Sequence, residues 1–162
     1  MRQVTNLVEQ FHAKHGFTLD DSLMQYDTAH AVNDSRTLKF VANVLLSCAD
    51  FLERLEMDCG VDVRVQRTQL MVEELGETVR AMAECDELEL LDGLSDLTFV
   101  TVGTSLAFGL PLEEGVLAVC NSNLTKTPRN PDDDPRLRCK GTGYVPPNME
   151  GVLKKWKTLK NK

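Results

Sequence analysis

The 162-residue sequence contains no long apolar run, no surplus of positive charge, no closely spaced cysteines and no histidine beyond His30. Each absence removes a class of protein. A membrane-crossing helix needs about 20 consecutive apolar residues, and no stretch approaches that length. Residues 1–6 lack the apolar core of a signal peptide. A cytoplasmic protein without a membrane partner is therefore expected. The net charge of −7 and a pI near 5.0 argue against a grip on a nucleic-acid backbone. The five cysteines (Cys48, Cys59, Cys85, Cys120, Cys139) are odd in number and include no C-x-x-C pair. That excludes a disulfide framework or structural zinc and predicts buried free thiols. A carboxylate-bridged di-iron bundle requires Glu-x-x-His pairs, which the upstream histidines cannot supply. The pair His12/His15 reads as part of a polar helix face.

The patterning that is present is helical. Val4, Leu7, Val8 and Phe11 share one face of a helix over residues 2–15, with Gly16 as its stop. Residues 16–34 read as a loop. A second helix starts near Asp34 or Ser35 and ends around Cys59–Gly60. Its apolar stripe comprises Leu38, Val41, Ala42, Leu45, Leu46, Ala49, Leu52 and Leu55. A third covers about 62–84. Asp86, with Glu89 three residues on, forms a capping-box-like start for a fourth. That helix runs to Phe108 and is apolar nearly all round (Leu94, Leu97, Phe99, Val100, Val102, Leu106), which predicts a central, buried position. Pro111 opens a fifth helix to about 124. Five prolines (Pro128, Pro131, Pro135, Pro146 and Pro147) with Gly141 and Gly143 break the following stretch until a short basic helix from Met149 to about Leu159. Trp156 anchors that helix in the core or on a neighbouring subunit. Neither strand-like alternation nor a repeat is visible. The sequence predicts an all-α bundle of about five main helices, a single domain over 1–162, with an irregular, lid-like tail at 126–150.

Two acidic clusters carry the chemistry. The first is Glu73-Glu74-Leu75-Gly76-Glu77, and the second is built on Asp92 and Asp96. At 3.6 residues per turn, Glu73 and Glu74 each share a face with Glu77, as Asp92 does with Asp96. A solvated face is the ordinary explanation for such spacing. The apolar flanks (Leu70, Met71 and Val72; Leu90, Leu91, Leu94 and Leu97) instead favour an inward-facing pocket, where carboxylates are costly unless paired or metal-bound. Hard cations such as magnesium take oxygen ligands of this kind together with substrate phosphates. The pattern points to a helical, metal-dependent phosphate enzyme.

Residues 67–77 and 92–100, which hold these clusters, resemble the two metal motifs of the MazG-like all-α NTP pyrophosphohydrolases. Residues 103–109, 121–126 and the tail 140–147 are similar to the phosphoribosyl-ATP pyrophosphohydrolase-like branch, with a weaker echo at residues 8–12. The resemblance implies cleavage of a nucleoside triphosphate between its α- and β-phosphates, giving monophosphate and pyrophosphate. It also implies magnesium, with manganese as the alternative, and a bundle completed as a homodimer or homotetramer. One position departs from the pattern: the second motif usually pairs a Glu with an Asp three residues on, and here Gly93 stands at the Glu position.

The expected primary ligands are Glu74, Glu77 and Asp96, with Asp92 as a fourth in place of the missing Glu. Glu73 is a further ligand, the general base that takes a proton from the attacking water, or an outward-facing residue. The catalytic set is thus Glu73, Glu74 and Glu77. By resemblance Asn123 and Lys126 contact the phosphates. Lys126 could equally be a cation at a helix end, and Asn123 a cap. Lys140 and Tyr144 would fold over the nucleotide, the tyrosine stacking on the base. Arg67 is expected to form a salt bridge with a site carboxylate rather than to act in catalysis. A nucleotide-binding protein that no longer cuts is the alternative reading, kept open by Gly93.

Overall fold

The computed structural model describes residues 1–17, 32–59, 62–128 and 140–160. It is helical, with six helices among the described residues: α1 (Arg2–His15), α2 (Val32–Cys59), α3 (Val63–Glu84), α4 (Glu87–Ala107), α5 (Leu112–Leu124) and α6 (Met149–Lys160). These form two compact units. One holds α1, α5 and α6, the other α2, α3 and α4.

Local chemistry sets the helix ends close to where the sequence places them. Gly16 closes α1 with φ +69°, its N–H bonded to the His12 carbonyl, a left-handed cap that glycine takes without a Cβ penalty. Asp62 caps α3 by accepting from the Arg64 N–H at 2.8 Å, and the Arg64 guanidinium on the same carboxylate holds its pKa down at about 2. Asp86 caps α4 by accepting from the Leu88 and Glu89 N–H groups at 3.0 and 3.1 Å. The reciprocal half of the expected capping box does not form, because the Asp86 N–H is taken by the Ala81 carbonyl at 3.1 Å. Two boundaries differ from the sequence reading. Helix α2 begins at Val32 rather than near Asp34, and Pro111 sits at the cap position of α5, one residue before its first turn. The central part of the loop expected over 16–34, and His30 with it, lies outside the described residues.

In the second unit, α3 packs against both α2 and α4. Ala42 and Ala49 turn inward from α2 and are buried. The expectation that α4 is buried on all sides is wrong for the single chain. Phe99 is 77% exposed, Leu106 74% and Leu94 46%, and α4 buries only Gly93, Val100 and Ser105. Its round-the-helix apolarity therefore reflects two different surfaces, one against α3 and one left open. The stripe on α2 divides likewise: Val41 and Leu55 are exposed with Phe40, Val44 and Phe51. Cys85 and Cys120 are buried thiols as expected, but Cys48 is exposed on the open side of α2.

In the first unit, α5 packs on α1 and α6. The Ser122 hydroxyl donates to the Val145 carbonyl at 2.7 Å, and the Val145 N–H donates to Thr125 Oγ1 at 2.8 Å. These two bonds pin the segment after Lys140 to the end of α5. His12 and His15 do not sit on a solvated polar face. They pack with Phe11 and Phe17, with 4.3 Å between the Phe11 and His15 ring centroids, and His12 Nδ1 and His15 Nε2 are buried without a partner. Desolvation, then the charges of Lys14 and Lys126, lower the His15 pKa. Trp156 is half-buried on α6, with Lys160 Nζ 5.2 Å from its ring centroid.

Candidate active site

The seam between α3 and α4 assembles the acidic clusters. Two close approaches fix its register. A Cβ on Gly93 would lie 2.8 Å from Thr78 Oγ1 and 3.1 Å from Thr78 Cα, and a Cβ on Gly103 would lie 3.2 Å from an Arg67 terminal nitrogen. As the α3 number falls by 11 between these contacts, the α4 number rises by 10, so the helices run antiparallel. That register sets Glu74 opposite Asp96 and Glu77 opposite Asp92.

Electrostatics agree with the register. The Glu74 carboxyl is held above the ordinary carboxylate value, first by desolvation and then by the charges of Asp96, Glu77, Glu73 and Asp92. Four of the five acidic candidates thus act on the fifth. Glu73 is half-buried and accepts from Gln69 Nε2 at 2.7 Å, while Glu77, Asp92 and Asp96 are exposed. Among the described residues none of the five forms a salt bridge. The salt bridge expected from Arg67 is absent for a geometric reason. Arg67 lies two turns up α3 from Glu74, beside Gly103, with its Nε buried and unpaired. A groove along the seam is lined by Glu77, Arg80, Ala81, Glu84, Glu89 and Asp92. Sequence reading passed over Arg80, although its position three residues after Glu77 puts it on the same helix face.

In donor chemistry this set suits a hard divalent cation: five carboxylate groups, none of them in a salt bridge among the described residues. Among the described residues no three such groups already converge on one point. Magnesium does not demand a closed protein cage. It is characteristically held by one or two carboxylates with phosphate and water oxygens completing the octahedron. Glu74 and Asp96, face to face across the seam, meet that requirement.

Asn123, Lys126, Lys140 and Tyr144 lie in the other unit, gathered at the C-terminal end of α5. The pinned Val145 places the turn from Gly141 to Tyr144 there, and Lys140 Nζ lies 4.9 Å from the Tyr144 ring centroid. Asn123 and Lys126 are linked by a backbone bond of 3.0 Å, and Lys126 Nζ lies 6.0 Å from the Phe11 ring centroid. The helix-end cation of α5 is Lys14, whose Nζ donates to the Leu124 carbonyl at 2.6 Å. The capping position is Thr125 rather than Asn123.

The described residues are all helical or irregular, with no strand among them, which is consistent with a MazG-like helical fold. Residues 56–123, which run from the end of α2 through α3 and α4 into α5, match the model of the phosphoribosyl-ATP pyrophosphohydrolase family. No curated protein and no solved structure matches the chain significantly. The family match supports a pyrophosphohydrolase-type activity on nucleotides.

Proposed function

We propose that the protein is a magnesium-dependent nucleoside triphosphate pyrophosphohydrolase, converting (d)NTP to (d)NMP and pyrophosphate in sanitation of the nucleotide pool. The observation that carries this reading is Glu74, half-buried opposite Asp96 in the field of four other carboxylates, none of which forms a salt bridge among the described residues. Magnesium bound there would neutralise that field, polarise the α-phosphate and lower the pKa of the attacking water.

The chain's own residues divide the remaining work. Glu74, Glu77, Asp96 and Asp92 hold the cation and orient the α-phosphate. Glu73, with one oxygen occupied by Gln69, keeps a free oxygen to accept the water's proton. Lys126 and Asn123 supply positive charge and a polar contact to the phosphates. Lys140 and Tyr144 cover the nucleotide, the tyrosine exchanging its lysine contact for the base. Residues 1–162 act as one pyrophosphohydrolase-like domain in the cytoplasm, without nucleic-acid or membrane partners. Among the described residues no single helix is long and apolar enough to cross a membrane.

The test is a panel of canonical and modified dNTPs and NTPs, including phosphoribosyl-ATP, with magnesium and then manganese. Release of pyrophosphate with the monophosphate is expected. Nucleotide binding without turnover would instead support the second reading, a helical nucleotide-binding protein on the same scaffold, which Gly93 favours by removing one carboxylate of the usual set.

A second copy of the chain completes the bundle. A helical layer must bury its apolar side against another layer, and α2 leaves Phe40, Val44 and Phe51 in the open, 46–68% exposed, around Cys48. An antiparallel two-fold pairing would bury this face in both copies. Phe51→Glu is expected to convert a dimer or tetramer to a smaller species in light scattering. An unchanged mass would place the interface elsewhere.

A further inference from the structure

Glu89 loses the task that its sequence position gives it. Three residues after Asp86, it is placed for a capping box, but the Asp86 N–H is taken by the Ala81 carbonyl. Its carboxylate lines the groove beside the acidic cluster instead, with Arg80 on the α3 wall opposite. Among the described residues neither side chain forms a salt bridge or a hydrogen bond. Arg80 stands three residues from Glu77 and four from Glu84, spacings that often give ion pairs on a helix, yet it pairs with neither. Glu84 is engaged by Lys39 at 3.7 Å. One guanidinium and one carboxylate thus face the same groove without a protein partner.

The groove adjoins the proposed cation site directly, because Glu77 and Asp92 belong to both. From Glu77 it continues along α3 to Glu84, seven residues or about 10 Å of helix, room for a sugar and a base. Ala81 and Gly93 line it between the charged groups and leave its floor open. An α-phosphate held at the cation carries the nucleoside on one side and the β- and γ-phosphates on the other, and only one of these enters the groove. Four carboxylates against one guanidinium disfavour the phosphate tail, since like charges brought together repel. The nucleoside is neutral, and its donors suit carboxylates.

We infer that the groove is the nucleoside subsite of the same centre, where Glu89 and Arg80 select a base with an exocyclic amino group beside a ring-nitrogen acceptor, as in cytosine and adenine. The inference rests on the pyrophosphohydrolase reading and adds the substrate class to it. An ionised carboxylate only accepts hydrogen bonds and a guanidinium only donates them. Glu89 therefore accepts from the amino group, and Arg80 donates to the ring nitrogen next to it. Uracil and hypoxanthine present the reverse pair, an oxo group beside a ring N–H, and leave acceptor facing acceptor and donor facing donor. A site built to bond an amino group penalises the analogue that lacks it.

The experiment measures kcat/KM of the full-length wild type, Glu89→Gln and Arg80→Ala on two matched pairs, dCTP with dUTP and dATP with dITP. Inhibition by the monophosphates and by pyrophosphate is read alongside. In each pair that is turned over, the wild type is expected to favour the amino-bearing member about tenfold or more, the worth of one charge-assisted hydrogen bond. Glu89→Gln should bring that ratio close to one, because an amide donates to an oxo group as well as accepting from an amino group. Arg80→Ala should lower the ratio and weaken inhibition by the favoured monophosphate, with inhibition by pyrophosphate unchanged. Both side chains are exposed, so the melting temperatures should stay close to that of the wild type. A wild type that cleaves both members of each pair equally, or favours the oxo member, overturns the subsite and leaves the activity standing. Weaker pyrophosphate inhibition in Arg80→Ala does the same, since it would put the phosphate tail in the groove. So does an equal loss on every nucleotide with the ratio unchanged, which would make the two residues structural. A wild type that cleaves no nucleotide removes the pyrophosphohydrolase reading and the subsite with it.

Discussion

Glu74→Gln is expected to lower magnesium-dependent pyrophosphate release by about 10³-fold, since a metal-centred stabilisation of several kcal/mol is lost and each 1.36 kcal/mol is a factor of ten. The same substitution has a signature that does not depend on turnover. In the wild type, magnesium at a hundredfold excess over its Kd should stabilise the fold by about 2.7 kcal/mol, and that gain should vanish in the variant. The metal-free protein should behave oppositely. Desolvation and the charges of Asp96, Glu77, Glu73 and Asp92 raise the Glu74 pKa above the ordinary value of 4.5. Between that value and the raised one, the folded chain binds more protons at this site than the unfolded chain, so stability falls as pH rises. The contribution of Glu74 is fully present below pH 4.5 and is lost as pH climbs through its raised pKa. Melting curves across that window, without metal, should show a steeper decline for the wild type than for Glu74→Gln. Parallel curves would mean that Glu74 does not feel its neighbours, and the proposed cation site would fail with it.

Gly93→Glu restores the residue that the family motif usually carries, and the structure predicts that it does harm. A Cβ at 93 meets Thr78 Oγ1 at 2.8 Å and Thr78 Cα at 3.1 Å. The hydroxyl cannot swing away freely, because it donates to the Glu74 carbonyl at 2.8 Å in a residue only 2% exposed. The Cα is backbone and cannot move alone. Helix α4 must therefore back away from α3, at a cost of about 1–3 kcal/mol for overpacking. The displacement also carries Asp92 and Asp96 away from Glu77 and Glu74. A shift of about 1 Å in such a constellation can cost about 10²-fold in rate. Urea unfolding and pyrophosphate release measured on one preparation should both decline, with Gly93→Ala intermediate. A more active Gly93→Glu would show that the seam opens at little cost, and that the missing carboxylate alone limits the site.

The close helix approach also explains why the motif departs from its usual form. With glycine at 93, the α4 carboxylates come from Asp92 and Asp96, one turn apart, on either side of the contact rather than at it. The departure reads as a loss when the motif is compared position by position. In the fold it is the condition for bringing Glu74 and Asp96 face to face.

Much of this was legible in the residues. The ends of α1, α3 and α4 are local events: Gly16, Asp62 and Asp86 act on N–H and C=O groups within a turn or so, so their chemistry is written in adjacent residues. The acidic spacing likewise fixed which carboxylates share a face, because helical geometry is the same everywhere. Three things could not be read in this way. Arg67 and Glu77 seemed near enough in sequence to place Arg67 among the carboxylates, but the antiparallel register carries it to Gly103. The apolar surface of α4 suggested burial on all sides, yet composition does not say whether the cover comes from the same chain or another. His12 and His15 looked solvated until the turn at Gly16 folded Phe17 back onto them. By itself the sequence determined the helices, their caps and the carboxylate faces, since these depend on neighbours within a few residues. Only the tertiary structure decided which groups meet across the seam, because that depends on one close contact, Gly93 on Thr78, whose partners lie 15 residues apart.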